Sequence, residues 1–221
     1  MAGRSGSSGS AQGAAGRDNA MDEPARPFSA TKADNSRRHW VVLDRDGTII
    51  EERHYLSDPE QVALIPDAAQ GLRQLQEMGF GLVVVTNQSG IGRGYFDRAT
   101  LDLIHRRVAQ LLESEGVHLD GFYHCPHLPE DDCQCRKPKT GLLKLATNEM
   151  NFNPQDCFVI GDTASDIEIG KRIGATTFLV RTGYGAEVAK NNICNPDYTV
   201  SGLSEAAQTI QSLIGAEEPQ P

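Results

Sequence analysis

Asp44 and Asp46 stand one residue apart in Asp44-Arg45-Asp46-Gly47-Thr48, directly after the apolar run Trp40-Val41-Val42-Leu43. Two carboxylates in a glycine-closed turn can divide labour: one attacks or holds a metal while the other moves a proton. The run reads as a short buried strand, so both acids emerge where a sheet ends and a loop begins, the edge at which open α/β sheets bind ligands. An Asp-Gly hairpin turn is the plainer reading of the same residues. Three further groups bear on the choice: Thr86-Asn87 after a second apolar run, Arg136-Lys137-Pro138 ahead of a helical stretch, and Gly161-Asp162 with Asp166 after a later run. Taken alone, Thr86 is a hydroxyl capping a strand end and Lys137 a solvated charge. Their order relative to Asp44 favours one shared crevice.

A second cluster has metal-binding character. Cys125-Pro126-His127 and Cys133-Gln134-Cys135 bring three thiols and an imidazole within eleven residues, on a loop with Pro126 and Pro129. Three Cys and one His suit a closed tetrahedral Zn²⁺ site of the structural kind, while a disulfide or unligated thiols are the alternatives. The loop runs straight into Arg136 and Lys137, so a metal clamp there would fix both cations. Cys157 reads as a buried strand residue and Cys194 as a loop residue. His39, His105 and His118 are expected at the surface, His124 at a strand end, and His54 in a loop facing substrate.

The elements that must carry these groups alternate. Residues 45–65 read as a long loop. A helix follows from Asp67 to Met78 with apolar residues at Ala68, Leu72, Leu75 and Met78 and a stop at Gly79, then a strand over 81–86. Asp97 can cap a helix to about Glu115 through Leu101, Ile104, Val108, Leu111 and Leu112. Short strands are expected at 122–124, 157–160, 176–180 and 198–200, with helices opening at Thr140, Ser165 and Ser204. Alternating strands and helices predict an α/β three-layer sandwich with a mainly parallel, Rossmann-like sheet.

Composition bounds the rest. A chain of 221 residues with 38% hydrophobic content can bury one full core. Residues 1–39 are rich in Gly, Ser, Ala, Arg and Asp and read as a disordered leader, with Met21 as a second possible start. The domain is expected over 40–216, with a flexible tail at 217–221. From residue 40 onward there are 15 Lys and Arg against 26 Asp and Glu, a net charge of −11. Such a surface repels nucleic acid and anionic lipid, so neither is expected as a partner, and a phosphorylated ligand must meet local cations. No apolar stretch approaches the length of a membrane span and no signal-peptide core is evident, which makes the cytoplasm the default location.

From about residue 40 to residue 183 the chain resembles the haloacid dehalogenase superfamily of phosphatases. Asp44-Arg45-Asp46-Gly47-Thr48 is similar to its first motif, Val84-Val85-Thr86-Asn87 to its second, Lys137 to its third, and Gly161-Asp162-Thr163-Ala164-Ser165-Asp166 to its fourth. The resemblance implies that Asp44 is the nucleophile, that Asp46 is the general acid and base, and that Thr86 and Lys137 bind the phosphoryl group. Asp44, Asp162 and the backbone oxygen of Asp46 would then hold Mg²⁺. About 40 residues separate Asp44 from Thr86 and about 50 separate Thr86 from Lys137, which leaves no room for an inserted cap domain and implies a capless member. The stretch Ser89 to Gly94, the cysteine loop and Cys135-Arg136-Lys137-Pro138 are similar to the branch acting on heptose bisphosphate, whose products feed lipopolysaccharide core or nucleotide-activated heptose. The short spacer between His127 and Cys133 and the words Cys125-Pro126-His127-Leu128-Pro129 resemble the related histidinol phosphate branch, and Thr163 stands where a lysine is frequent in the heptose branch. By resemblance the substrate is a small phosphorylated sugar, contacted by Arg45, Tyr55, Asn87, Gln88, Ser89 and Arg136, with Arg136 on the phosphate that stays, and the enzyme is a monomer. A non-catalytic zinc-containing module on a degenerate phosphatase fold is the reading from a different class.

Overall fold

The computed structural model describes residues 39–217. Residues 1–38 of the expected leader, with Met21, and the tail beyond residue 217 lie outside the described residues, while His39 already pairs its carbonyl with the Gly81 N–H. Six strands form one sheet: β1 (Trp40–Leu43), β2 (Gly81–Asn87), β3 (Gly121–Cys125), β4 (Cys157–Gly161), β5 (Thr176–Val180) and β6 (Tyr198–Val200). Their order is β3-β2-β1-β4-β5-β6, and every pairing is parallel. Parallel neighbours need crossovers, which are supplied by α1 (Ala68–Glu77), α2 (Arg98–Ser114), α3 (Gly141–Met150), α4 (Ala164–Ile173) and α5 (Gly185–Lys190), while α6 (Leu203–Glu217) follows the last strand.

The period-two alternation of β1 divides the core. Val41 and Leu43 face a cluster built with Leu72 and Leu75 of α1, Ile104 and Val108 of α2, and Ala206 and Ile210 of α6. Trp40 and Val42 face the other way, onto Leu142, Leu143 and Ala146 of α3 and Ile169 of α4. The result is three layers with both sheet faces covered, which is why the central strands are nearly continuous apolar runs. Each fully buried Leu, Ile or Val contributes roughly 1.5–3 kcal/mol.

Helix ends follow their sequence signals. The Asp97 side chain accepts from the Thr100 N–H at 2.8 Å and opens α2, and Gly174 closes α4 in the left-handed region at φ +77°. Two features were not legible. The six-residue α5 has too few apolar positions to show a period. His105, expected at the surface, is buried, because it lies one helical turn beyond Leu101 on the inward stripe of α2 and stacks on Phe122 with ring centroids 4.5 Å apart.

The long loop after β1 is ordered by its own backbone. The N–H groups of Ile49 and Ile50 both bond the Arg45 carbonyl, at 2.9 and 3.1 Å, and the Glu51 N–H reaches the Ala63 carbonyl at 2.9 Å. Both isoleucine side chains enter the α1/α6 side of the core, so the acidic turn is anchored from below. Strand order reverses at β1, between β2 and β4. Here the connections leave in opposite directions and a crevice opens at the carboxyl ends of the strands.

Gly71 of α1 lies against the backbone of Leu203 and Ser204 with no space for a Cβ. Gly71→Val should therefore lower stability by about 1–3 kcal/mol through forced separation of α1 and α6. A shift of the urea midpoint to lower concentration with unchanged activity in native buffer is the expected result.

Candidate active site

Asp44 is the first residue past β1, and its N–H is still bonded to the Ile160 carbonyl of β4 at 3.0 Å. The nucleophile candidate is thus held by the sheet. Across the switch point, Asp162 follows β4 and Asp166 lies in the first turn of α4. Oxygens of Asp44, Asp162 and Asp166 come within 4.8 Å of one another. Three carboxylates that close require positive charge.

Lys137 supplies part of it. Its buried ammonium sits 3.0 Å from Asp44 and 2.6 Å from Asp166, and it donates to the Val85 carbonyl at 2.7 Å. Burial works against the charged amine, but Asp166 and Asp44 outweigh it and hold the amine above its ordinary range. The lysine arrives from a loop 50 residues beyond β2, and Asn87 fastens that loop. The Asn87 side-chain oxygen accepts from the Lys137 N–H at 3.0 Å while its amide nitrogen donates to the Lys137 carbonyl at 3.2 Å. Asp166 has two tasks, since its second oxygen accepts from the Thr163 N–H at 3.0 Å and the Thr163 hydroxyl at 2.6 Å, which caps α4. Its pairing with Lys137 was not assigned from the sequence.

One lysine does not balance three acids. Burial first, then Lys137 in opposition and Asp166 and Asp46 in support, leaves Asp44 raised to about 7. Burial, with Asp44 and Asp166 adding to it, raises Asp162 to about 8. Asp162 Oδ2 accepts the Tyr184 N–H at 2.8 Å, whereas Oδ1 is buried with no hydrogen-bond partner among the described residues. Gly47 and Gly183, both at positive φ, press on the Asp162 carboxylate where any Cβ would collide with it. An orphaned carboxylate oxygen beside a second carboxylate, all hard oxygen donors, fits Mg²⁺.

Asp46 is set apart from this cluster by its own clamp. Arg45 Nε and Nη2 reach Asp46 Oδ2 at 3.1 and 2.7 Å, and Gln88 Nε2 reaches the same oxygen at 2.8 Å. Arg45 Nη2 also donates to Gln88 Oε1 at 2.9 Å, and Gln88 Nε2 to Thr86 Oγ1 at 2.9 Å. Arg45, named from the sequence as a substrate contact, is 1% exposed and is engaged with Asp46 and Gln88. Because the Thr86 hydroxyl accepts from Gln88, its own proton is left to point elsewhere.

The crevice above is a cleft of about 230 Å³ lined by Arg45, Asp46, Tyr55, Asn87, Gln88 and Ser89, whereas Arg136, expected with them, is not among the residues lining it. Glu52, His54 and Tyr184 also line it. The Tyr184 hydroxyl and His54 Nδ1 are 2.9 Å apart, joining the β5 side to the first loop across 130 residues. No sequence signal linked Tyr184 to the site, since only the crossover brings it there.

The cysteine loop closes on itself. Cys125, His127, Cys133 and Cys135 present ligand atoms within 4.8 Å of one another, with S···S separations of 3.3–3.6 Å and His127 Nδ1 3.1 Å from Cys135 Sγ. The edges of a zinc tetrahedron with ~2.3 Å bonds are slightly under 4 Å, so the donor set fits the ion. Contacts from Cys125, then Cys133 and His127, opposed by burial, pull the Cys135 thiol down to about 5, while the contact with Cys135, then burial, pushes the Cys125 thiol up; a bound metal would take both as thiolates. Arg136 leaves this loop with Nη1 3.3 Å from the His127 carbonyl.

A sheet of this order with acids at its switch point and a lysine between them defines a phosphatase of the haloacid dehalogenase type, and a family model described as HAD-hydrolase-like matches residues 134–206. The chain is 37% identical over 182 residues to a D-glycero-beta-D-manno-heptose-1,7-bisphosphate 7-phosphatase from Pasteurella multocida, covering 78% of this chain and 97% of the relative, and 40% identical to one from Haemophilus influenzae with the same coverage. The crystal structure of D,D-heptose 1,7-bisphosphate phosphatase from B. bronchiseptica, complexed with magnesium and phosphate, superposes with a TM-score of 0.74 at 28% identity over 79% of this chain and 99% of that one. The chain belongs to the family of D-glycero-D-manno-heptose 1,7-bisphosphate 7-phosphatases. No helix among the described residues is long and apolar enough to cross a membrane.

The raised carboxyls set a pH dependence for the metal-free protein. Asp44 and Asp162 keep their protons to about pH 7 and 8 when folded, against 3.8 when unfolded. Between about pH 4 and 8 the unfolded chain therefore binds fewer protons, and these groups make stability fall as pH rises. In chelator, melting temperature should drop more steeply over that window for the parent than for Asp162→Asn, and Mg²⁺ should restore the parent most at the alkaline end. Parallel curves for the two proteins would contradict it.

Proposed function

We propose that this chain removes the 7-phosphate of D-glycero-D-manno-heptose 1,7-bisphosphate by way of an aspartyl phosphate on Asp44. The observation that carries the reading is the Lys137 ammonium 3.0 Å from Asp44, beside an Asp162 carboxylate with an unpartnered oxygen. A carboxylate approaching a phosphate dianion is repelled, so fixed positive charge must be in place before in-line attack.

Each residue then has a task. Lys137 and the free proton of the Thr86 hydroxyl receive phosphoryl oxygens. Asp44 Oδ attacks phosphorus and the bond to the sugar oxygen breaks. Asp46, held by Arg45 and Gln88, gives its proton to that leaving oxygen. It then takes a proton from the water that hydrolyses the aspartyl phosphate, which returns both carboxylates to their starting state. Asp44, Asp162 and the backbone oxygen of Asp46 are the groups that would hold Mg²⁺, which supplies charge neutralisation and orientation. Tyr55 at the cleft rim suits the sugar, and Arg136, a planar fork beside the zinc loop, suits the retained phosphate.

The non-catalytic alternative requires that these groups be idle, yet Asp46 is clamped by Arg45 and Gln88 and Lys137 is fastened by Asn87 beside Asp44. Asp44→Asn should lower phosphate release from the bisphosphate by roughly 10³-fold or more while leaving the fold intact. Release at the parental rate would exclude covalent catalysis by Asp44. Assayed side by side, heptose bisphosphate should be preferred to histidinol phosphate in kcat/KM; the reverse order would move the substrate to the histidine branch and leave the chemistry unchanged.

The cysteine loop acts through Arg136 and Lys137. His127→Ala should abolish bound zinc, measured by elemental analysis, and raise KM by roughly tenfold through loss of the fixed Arg136. An unchanged KM in zinc-free protein would remove the clamp from the account.

A further inference from the structure

Beneath the crevice, on the α2 side of the sheet, lie two buried histidines that the reaction above does not use. His124 is the register partner of Thr86 in the β2–β3 ladder, so the two side chains share a sheet face. Its ring is fully buried, and neither nitrogen has a hydrogen-bond partner among the described residues. His105 of α2 has its ring centroid 5.7 Å from that of His124, and His105 Nε2 is buried and unpartnered as well. Arg45 lies alongside, since Gln88 joins its Nη2 to Thr86, the register neighbour of His124. Its Nε and Nη2 are committed to Asp46 and Gln88, whereas Nη1 is buried without a partner.

The charges fit together. Burial, then the positive charges of Arg98 and Arg45, lowers His124 to about 4, and burial followed by Arg45 and His124 puts His105 well below its ordinary value. Both rings are therefore neutral at pH 7, and a neutral imidazole offers one acceptor nitrogen. The free edge of Arg45 offers only donors. Buried polar groups left unpaired cost roughly 1–3 kcal/mol each. An internal water with two to four polar partners relieves several at once.

We propose that Arg45 Nη1, His124 and His105 enclose a structural water site that supports Arg45 from behind, making the two histidines positioning residues for Asp46. The inference rests on the role of Asp46 in the proposed reaction. Without that support the guanidinium can turn its donors inward, and the clamp on the proton-transferring carboxylate loosens. Tyr55, Asn87 and Ser89 at the cleft take no part in this arrangement.

The test compares His124→Phe and His124→Gln with the parent, on heptose bisphosphate and on p-nitrophenyl phosphate. His124→Phe is of similar shape but removes the acceptor and leaves Arg45 Nη1 buried and unpaired, so its melting temperature should fall modestly while the protein stays folded. Its kcat should nonetheless fall roughly tenfold on both substrates with KM unchanged, and His124→Gln, which keeps an acceptor, should recover most of the loss. A high-resolution crystal structure should show an ordered water in contact with Arg45 Nη1 in the parent and none in His124→Phe. A kcat within twofold of the parent in a folded His124→Phe overturns the proposal, as does a Gln variant as slow as the Phe variant. If His124→Phe does not fold, His105→Phe carries the same comparison with the same outcomes. Hydrolysis of p-nitrophenyl phosphate but not of heptose bisphosphate by the parent would defeat the substrate reading alone, leaving this comparison valid on the small substrate.

Discussion

Crowded negative charge at the end of a parallel sheet is the constraint from which the rest of the site follows. Asp44, Asp162 and Asp166 converge within one small volume, and a single buried ammonium touches two of them. Burial, with that crowding added to it, pushes two carboxyls up into the neutral range. It also prepares the site for its ligands, since a divalent cation relieves what Lys137 cannot, and a phosphoryl group enters only once such charge is present.

Much of the surrounding structure serves to hold this arrangement against its own repulsion. Asn87 grips the backbone of Lys137 in both directions, and Asp166 spends one oxygen on the lysine and the other on the cap of α4. Gly47 and Gly183 admit the Asp162 carboxylate between two turns. Asp46 is kept out of the metal cluster by Arg45 and Gln88, so two acids one residue apart meet different environments. In the proposed reaction that separation lets one carboxylate act as nucleophile and the other move protons.

The cysteine loop applies the same logic at longer range. Its four ligands lie between β3 and the Arg136-Lys137 pair, so closing the loop on a metal fixes where both cations leave it. The crevice is left without a cap, and its walls come from loops: the turn after β1, the Ser89-Gly90 segment and the Tyr184 turn. Substrate choice is therefore written in loops, while the chemistry is written at strand ends.

The strands, the crossover helices and the convergence of Asp44, Lys137 and Asp162 were legible in the sequence because each rests on a local signal. These signals are the apolar runs of Trp40 to Leu43 and Leu82 to Val85, the Asp97 cap, the Gly174 stop, and the spacing of Asp44, Lys137 and Asp162. The Cys-His cluster was legible because its ligands are close along the chain. What the sequence could not give was partnership across distance: that Arg45 turns inward to Asp46, that His105 is buried against Phe122, that Asp166 pairs with Lys137, and that Tyr184 meets His54 from 130 residues away. Local order follows from backbone and side-chain preferences over a few residues, whereas these contacts exist only once parallel strands have been brought side by side by their crossovers, so they belong to the tertiary structure alone.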